Sequence, residues 1–277
     1  MILVLSAADP RLAAYCDLTD QELMARHGLF IAEGRLVVRR LLEGGRFRAV
    51  SVLVTEPARA AIQDLLDQRP ELPAYVVSQA VMNAVTGFNI HRGCLALAER
   101  PASPDWRDVA GGARRLLVLE RIANADNVGA LFRNAAAFGV GAVLLDDRST
   151  DPLYRKAIRT SMGAALGVPF ARAEPVTAAL HELRESGVAV IGLTPAHTAA
   201  PLRDVAPLVS ARRLAIVVGH EGDGLTDDGL RACEHLARIP MAAGIDSLNV
   251  ATAAAIALYE LTATATASDP PDAESQR

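Results

Sequence analysis

The chain has 277 residues, of which 51% are hydrophobic and only 4% aromatic, and it carries a formal net charge of −4. This length suits one large or two modest domains, with a core built mainly from alanine, valine and leucine. The slightly acidic balance argues against a protein that coats nucleic acid over a broad surface, although it leaves room for a local basic face.

Three cysteines are too few and too scattered for a disulfide framework or a zinc cluster, so we expect no metal site. The amino terminus has no basic region ahead of its apolar residues and is a poor signal peptide. The longest largely apolar run, 250–258, is too short to span a bilayer. These features predict a cytoplasmic protein with no membrane partner.

The first hundred residues predict a small α/β unit over 21–100, preceded by a lead-in of little pattern over 1–20. Residues 21–40 have helical patterns at both ends and a short strand between them. The strands predicted in this unit lie at 28–34, 51–54, 74–78 and 93–98. Residues 101–113 are rich in proline and glycine and are predicted to be a linker.

From residue 114 to 264, apolar strands alternate with helical patterns, which predicts a mostly parallel sheet covered on both faces. The predicted elements are strand 115–119, helix 127–138, strand 141–145, helix 152–160, helix 175–186, strand 188–193, strand 214–218, helix 226–233, strand 235–239 and helix 247–263. The remaining tail, 265–277, is polar with two prolines and is expected to be disordered.

Three loops in this second region follow predicted strands and contain small polar residues. Open α/β sheets bind ligands at such strand ends. After strand 235–239 the loop runs to Ser247 and Asn249, whose side chains suit the cap of the last helix. The other two loops follow strands 115–119 and 214–218. No early Gly-x-Gly-x-x-Gly or Walker-type loop is present, which argues against a dehydrogenase or an NTPase.

Together these loops resemble the three motifs of the SpoU/TrmH family of RNA ribose 2′-O-methyltransferases, in the SPOUT superfamily. The matching residues span about 114–261. They are Asn127, Gly129, Ala130 and Arg133; Gly219, Glu221, Gly222, Gly224 and Leu225; and Ile239, Pro240, Met241, Ser247, Leu248, Asn249 and Val250. The resemblance implies a trefoil-knotted SPOUT domain, S-adenosylmethionine as methyl donor, and rRNA or tRNA as substrate. It also implies a homodimer.

The same resemblance implies roles for individual residues. The residues implied in catalysis are Arg133, Asn127, Glu221, Ser247 and Asn249. Because arginine hardly ever loses its proton, we expect Arg133 to hold RNA and stabilise the forming alkoxide, with a role as base left open. Glu221 is expected either to fix the donor loop or to orient Arg133. The residues implied in donor binding, mostly through their backbone, are Thr194, Gly219, Ile239, Met241 and Leu248.

Residues 30–34, followed by Leu36 and Val37, resemble the small ribosomal L30e/L7Ae-like domain that precedes the catalytic domain in many SpoU members. This implies an RNA substrate-binding domain over 21–100. The candidate RNA contacts, which would position phosphates without reading bases, are Arg35, Arg39, Arg155, Lys156 and Arg159.

Departures from the family pattern are Ala125 in place of a proline, Asn134 in place of a threonine, and His220 before Glu221. They affect substrate choice rather than chemistry. Two alternatives stay open: a SPOUT methyltransferase acting on a base nitrogen, and a non-catalytic RNA-binding or ribosome-assembly protein.

Overall fold

The computed structural model describes residues 1–16, 19–87 and 93–266, with side chains described up to residue 261. Most of the tail that was expected to be disordered, 267–277, lies outside these residues. Two compact units are present. The first contains the described residues of Met1–Ser103 with the segments Val128–Arg133 and Thr150–Gly167, and the second contains the rest.

The first unit is built on a five-stranded mixed sheet of order β1-β4-β3-β5-β2. Its strands are β1 Ile2–Leu3, β2 Leu29–Glu33, β3 Ala49–Thr55, β4 Ala74–Val77 and β5 Cys94–Glu99. Its helices before residue 103 are α1 Asp20–His27, α2 Arg35–Gly44, α3 Glu56–Arg59, α4 Gln63–Asp67 and α5 Gln79–Thr86, with a 3-10 helix at Pro10–Tyr15. The middle strands β3 and β5 are mostly buried, which explains their largely apolar sequences.

The segment Thr150–Gly167 belongs to this first unit although it follows the first sequence motif. It carries the short helices α8, Arg155–Thr160, and α9, Ala164–Gly167. Ion pairs hold the segment to the amino-terminal residues: Arg155 Nε lies 2.8 Å from Asp20 Oδ1, and Arg100 Nη1 lies 2.6 Å from Asp151 Oδ2. Chain order alone therefore does not define the unit.

The second unit is built on a seven-stranded sheet of order β10-β12-β9-β11-β6-β7-β8, in which every pairing is parallel. The strands are β6 Arg115–Leu119, β7 Ala142–Leu145, β8 Phe170–Arg172, β9 Ala189–Leu193, β10 Ala200–Pro201, β11 Leu214–Val218 and β12 His235–Arg238. The helices are α6 Trp106–Gly111, α7 Ala125–Ala137, α10 Val176–Glu185, α11 Leu202–Val209, α12 Asp227–Ala232 and α13 Val250–Thr266. The middle of α7, Val128–Arg133, groups with the first unit.

The centre of this sheet determines where the site lies. Strand β11 is buried along its whole length and pairs with β6 on one side and β9 on the other. Because the strands are parallel, the loops after β6, β9, β11 and β12 leave the same edge. The mostly parallel α/β sheet predicted from the sequence is confirmed.

Several elements were not predicted. The segment taken as a linker contains helix α6, which Asp105 caps by accepting the N–H of Arg107 at 2.8 Å. Its flanking prolines and glycines obscured six helical residues, of which Ala110 is buried. Strands β8 and β10 were also missed, because three and two residues are too few to show a period. Helix α11 was missed too, and it has Pro207 inside it. The last helix begins at Val250, three residues later than predicted.

Candidate active site

A cleft of about 810 Å³ lies at the carboxyl edge of the parallel sheet, within the second unit. Four loops line it, one after each of β6, β9, β11 and β12. In sequence these are residues 123–127, 193–196, 218–225 and 239–250. Its volume falls in the range of about 300–1,000 Å³ that is usual for small-molecule and cofactor pockets.

Three side chains, one from each sequence motif, form a hydrogen-bonded chain in this cleft. The Asn127 Nδ2 donates to Glu221 Oε1 at 2.8 Å, and the Asn127 Oδ1 accepts from Asn249 Nδ2 at 2.9 Å. The central Asn127 is 9% exposed, so its amide is shielded from competing water. An amide can serve both neighbours because it has a donor and an acceptor on one side chain. We refer to Glu221, Asn127 and Asn249 as the motif triad.

Glu221 is held by more than Asn127. Its Oε1 also accepts the backbone N–H of Asn124 at 3.2 Å. Partial burial would raise the pKa of this carboxyl, but the hydrogen bonds from Asn127 and from the backbone N–H groups of Asn124 and Ala123 outweigh burial, so its pKa lies below the ordinary value. At neutral pH Glu221 is therefore a carboxylate that fastens the loop after β6 to the loop after β11.

The loop after β11 is folded tightly on itself. A Cβ on Gly219 would lie 2.3 Å from the backbone of Gly224 and Leu225, so only glycine fits there. Gly224 has φ +71, in the left-handed region, and its N–H donates to the His220 carbonyl at 2.9 Å. The Nδ1 of His220 accepts the backbone N–H of Gly222 at 3.0 Å. The tight fold of the loop therefore explains why glycine occupies positions 219 and 224.

The loop after β12 leads into the last helix through Asn249. Its Oδ1 accepts the N–H of Ala251 at 3.0 Å and that of Thr252 at 3.3 Å, so Asn249 is the helix cap. Ser247, expected to share this role, lies exposed ahead of the helix and caps nothing among the described residues. Within the same described part of the chain, the backbone N–H groups of Met241 and Leu248 meet no internal acceptor.

The structure gathers nine of the predicted site residues around the cleft. They are Asn127, Thr194, Gly219, Glu221, Ile239, Met241, Ser247, Leu248 and Asn249. Arg133 does not line it; this exposed arginine lies six residues after Asn127 on α7, in the segment that groups with the first unit. Among the residues described, Arg133 has no hydrogen-bond or ion-pair partner. Of the two roles considered for Glu221, the contacts support fixing the loop.

The predicted RNA contacts differ in how available their charges are. Arg39 donates to both carboxylate oxygens of Asp64, at 2.7 and 2.9 Å, and to Glu43 at 3.0 Å. Arg155 and Arg159 face Asp20 and Glu33. Arg35 and Lys156 also lie in the first unit, and Arg35 is exposed. Carboxylates therefore face Arg39, Arg155 and Arg159, which sequence spacing could not show because Asp64, Asp20 and Glu33 are distant along the chain.

Two residues that hold the loops of the site were missed. Asn124 caps α7 by accepting the N–H of Asp126 at 2.8 Å while its own N–H binds Glu221. Glu120, 3% exposed, accepts from Thr226 N at 3.0 Å and from Thr226 Oγ1 at 2.7 Å. A charged residue directly after the apolar run 116–119 was the signal available for Glu120.

The model of the SpoU rRNA Methylase family matches residues 114–259, which include the four loops of the cleft. The chain belongs to this family of RNA methyltransferases, as the three motifs predicted.

Relatives agree with this assignment over most of the chain. The chain is 44% identical over 258 residues to an uncharacterized tRNA/rRNA methyltransferase of Mycobacterium bovis, covering 92% of this chain and 89% of the relative. It is 34% identical over 145 residues to a 23S rRNA (guanosine-2′-O-)-methyltransferase of Vibrio vulnificus, covering 52% of this chain and 57% of that one.

A solved structure shares the fold across both units. The rRNA methyltransferase of Sinorhizobium meliloti is 25% identical, with a TM-score of 0.80, and the match covers 94% of this chain and 96% of that one. The structure of the AdoMet-bound enzyme from the same organism has a TM-score of 0.79 at 24% identity.

Two further features bear on the class of protein. No helix among the described residues is long and apolar enough to cross a membrane. The same part of the chain contains no group of three or more His, Cys, Asp or Glu side chains arranged to hold a metal ion.

Proposed function

We propose that this protein transfers the methyl group of S-adenosylmethionine to a ribose 2′-hydroxyl of rRNA or tRNA. The observation that carries the proposal is the motif triad, which joins three loops around the cleft by hydrogen bonds of 2.8 and 2.9 Å. Membership of the SpoU family supports the donor and the class of substrate. The Vibrio vulnificus relative, named for a guanosine 2′-O activity, supports ribose rather than base as acceptor.

The cleft fits a methyl donor that carries an adenine and an amino acid. The N–H groups of Met241 and Leu248, which meet no acceptor among the described residues, suit the ring nitrogens of adenine. Gly219 lines the cleft, and its missing side chain lets the loop after β11 close on itself. The residues that would hold the donor are Thr194, Gly219, Ile239, Met241 and Leu248, all of which line the cleft.

When bound, S-adenosylmethionine supplies an electrophilic methyl group, which passes to the ribose oxygen as its bond to sulfur breaks. The chain contributes orientation, because the motif triad fixes three of the four loops relative to one another, and alignment of reacting groups lowers barriers by about 7–11 kcal/mol in well-oriented systems. Ser247 lies on the exposed part of the same wall and would face the incoming RNA.

Arg133 supplies the positive charge. As a fixed cation that keeps its proton, it would hold an RNA phosphate and stabilise the negative charge that develops on the ribose oxygen, easing the loss of the hydroxyl proton to solvent. Its exposure and its lack of a partner among the described residues leave the guanidinium available for this. Arg35, Arg39, Arg155, Lys156 and Arg159 would add phosphate contacts. Carboxylates would compete with the RNA for Arg39, Arg155 and Arg159.

The architecture implied by the resemblance is part of the proposal. It comprises a trefoil knot in the domain 114–264, an L30e/L7Ae-like RNA-binding domain over 21–100 and a homodimer. The cytoplasmic location predicted from the sequence is proposed beside it. Three large side chains of the second unit support the homodimer because they are exposed: Leu208 at 64%, Ile256 at 39% and Tyr259 at 63%. Leu208 is on α11 and the other two are on α13, and these helices are in contact. Exposed apolar patches mark interaction surfaces.

The test is transfer of labelled methyl from S-adenosylmethionine to rRNA and tRNA prepared from cells that lack the protein. Arg133→Ala is expected to lower the rate about 100-fold or more while leaving donor affinity unchanged, as loss of one transition-state contact does. Arg203→Ala, an exposed arginine on α11, is the matched control and should act as wild type.

Alkaline hydrolysis of the methylated RNA identifies the acceptor. Label in nucleotides that resist alkaline cleavage supports ribose methylation, because a 2′-O-methyl group removes the hydroxyl that alkali requires. Label that stays on the free base indicates a base methyltransferase instead. If wild type binds RNA but transfers no methyl group, the proposed enzyme activity is wrong, and a non-catalytic RNA-binding or ribosome-assembly protein is the better interpretation.

A further inference from the structure

Two consecutive residues directly after β6 hold the loop after β11 at two points. Glu120 accepts two hydrogen bonds from Thr226, where that loop enters α12. Arg121 Nη2 lies 3.1 Å from Oδ2 of Asp223, at the tip of the loop. Neither Glu120 nor Arg121 lines the cleft, whereas Asp223 does. Both are therefore placed to act on the cleft through the loop.

The backbone of Arg121 has an unusual conformation. Its φ of +60 lies in the left-handed region, which glycine adopts freely and arginine rarely does. A buried anchor fixes it there: the Arg121 N–H donates to Asp146 Oδ2 at 2.9 Å, and Asp146 Oδ1 also accepts from Ser149 Oγ at 2.6 Å. The next N–H, of Ile122, donates to Ser149 Oγ at 3.0 Å.

The backbone conformation at position 121 favours glycine, so the arginine there is explained by its side chain rather than by the turn. The turn itself is satisfied by main-chain hydrogen bonds to Asp146 and Ser149, so the fold requires no particular side chain at 121. What the side chain adds is the ion pair with Asp223. Strained residues held in place by their surroundings are typical of functional sites.

Asp223 is connected to the motif triad through a few atoms. Its backbone N–H donates to His220 Nδ1 at 3.2 Å, and Glu221 and Gly222 lie between the two residues in sequence. A shift of Asp223 would therefore shift His220 and the Glu221 carboxylate, which Asn127 and Asn124 hold on the other side. The loop is fixed from inside by the triad and from outside by Arg121.

We infer that Arg121 is a positioning residue for donor binding, which orders the loop after β11 through its ion pair with Asp223. The inference rests on the proposed function, because it takes the cleft to be the site of S-adenosylmethionine. Arg121 is 27% exposed and Asp223 is 69% exposed at their side chains, so the pair is a surface ion pair. We expect it to change donor affinity by about two- to fivefold, as such pairs do.

The experiment measures the dissociation constant of S-adenosylmethionine by calorimetry, and the thermal midpoint, for three variants of the full chain. Arg121→Gly removes the guanidinium and suits the backbone conformation, Asp223→Asn removes the partner charge, and the third variant combines them. The control is Asp228→Asn, which breaks another exposed ion pair, between Arg231 and Asp228 on α12, outside the cleft lining.

Arg121→Gly is expected to weaken donor binding about two- to fivefold without lowering the thermal midpoint. Asp223→Asn should weaken it equally, and the double variant no further, because each change removes the same ion pair. At saturating donor kcat should be unchanged, so the loss appears in the KM for donor. At high salt the donor affinity of wild type should fall to that of the variants, because salt screens the ion pair. The Asp228→Asn control should bind as wild type.

Two results would overturn the inference alone. In one, wild type binds S-adenosylmethionine and Arg121→Gly binds it equally well. In the other, Arg121→Gly lowers the thermal midpoint and the affinity together, which would make Arg121 a purely structural residue. Wild type that binds no S-adenosylmethionine would instead overturn the proposed function, and this inference with it.

Discussion

At the scale of single residues, the site depends on Asn127. One amide bridges a carboxylate from the second motif and an amide from the third, and it does so from the first turn of α7. An aspartate here could accept from Asn249 but would repel Glu221, and an alanine could serve neither. The geometry therefore explains why all three motifs must occur together in one chain.

We predict that Asn127→Ala weakens S-adenosylmethionine binding about tenfold or more, because a hydrogen bond to a charged group is worth about 1.5–3 kcal/mol. Calorimetry measures the affinity. Asn134→Ala is the matched control: this asparagine is on the same helix and donates to the Ala251 carbonyl at 2.7 Å, but it does not line the cleft. Equal losses of affinity in both variants would argue against a specific role for the triad.

The pH dependence of the thermal midpoint, compared between wild type and Asn127→Ala, provides a second readout. The lowered pKa of Glu221 stabilises the native state above the ordinary value of 4.5, and this contribution is lost as the pH falls through the lowered pKa. Replacing Asn127 with alanine removes a hydrogen bond to the Glu221 carboxylate and so raises the pKa of Glu221. The difference in thermal midpoint between wild type and Asn127→Ala should therefore be largest at neutral pH and should narrow below about 4.5. A difference that is constant with pH would contradict the account.

At the scale of secondary-structure elements, a glycine determines how α7 packs against α8. A Cβ on Gly129 would lie 2.5 Å from the Ala157 carbonyl oxygen, 2.8 Å from Thr160 Cβ and 3.0 Å from the Ser161 nitrogen. Two of these neighbours are backbone atoms, which cannot move aside as a flexible side chain would. The glycine of the first motif thus has a packing role, although it stands between two residues with proposed catalytic roles.

We predict that Gly129→Ala destabilises the protein by about 1–3 kcal/mol, as overpacking of a tight contact does. The measurement is the thermal midpoint. Gly111→Ala is the matched control, since Gly111 is also helical and a Cβ there would meet nothing within 4 Å. That variant should be neutral or slightly stabilised. Two variants of equal stability would show that α7 can move away from α8.

At the scale of the whole molecule, the exposed apolar side chains of α11 and α13 bear on assembly. Ile256 and Tyr259 are three residues apart on α13 and so lie on one face of the helix. The Tyr259 ring packs edge-on against Phe138, with 6.5 Å between centroids, so part of this apolar surface is already ordered. A second copy of the chain would remove it from water.

We predict that the double substitution Ile256→Asp and Tyr259→Asp converts the proposed dimer into a monomer, because buried charges without partners disfavour an interface strongly. Light scattering at micromolar concentration measures the mass. Leu5→Asp is the control, because Leu5 is 82% exposed in the first unit and should leave the mass unchanged. A wild-type monomer, or a double variant that still dimerises, would refute the proposed interface.

Local sequence determined much of the fold. Apolar strands that alternate with helical patterns predicted the parallel sheet, because strands buried on both faces must be apolar throughout. Strands 115–119 and 214–218 coincide with the observed β6 and β11. Short elements such as α6 and β8 were missed because six and three residues are too few to establish a period.

The sequence by itself determined the family and the residues that meet in the cleft, because those residues are fixed in motifs at strand ends and parallel strands bring their ends to one edge. Only the tertiary structure decided which atoms bond. Asn127 and Asn249 are 122 residues apart, and Arg121 and Asp223 are 102 apart, so no local pattern connects them. The tertiary structure likewise decided that Arg39, Arg155 and Arg159 face carboxylates, because charge pairing depends on positions in space rather than on order in the chain.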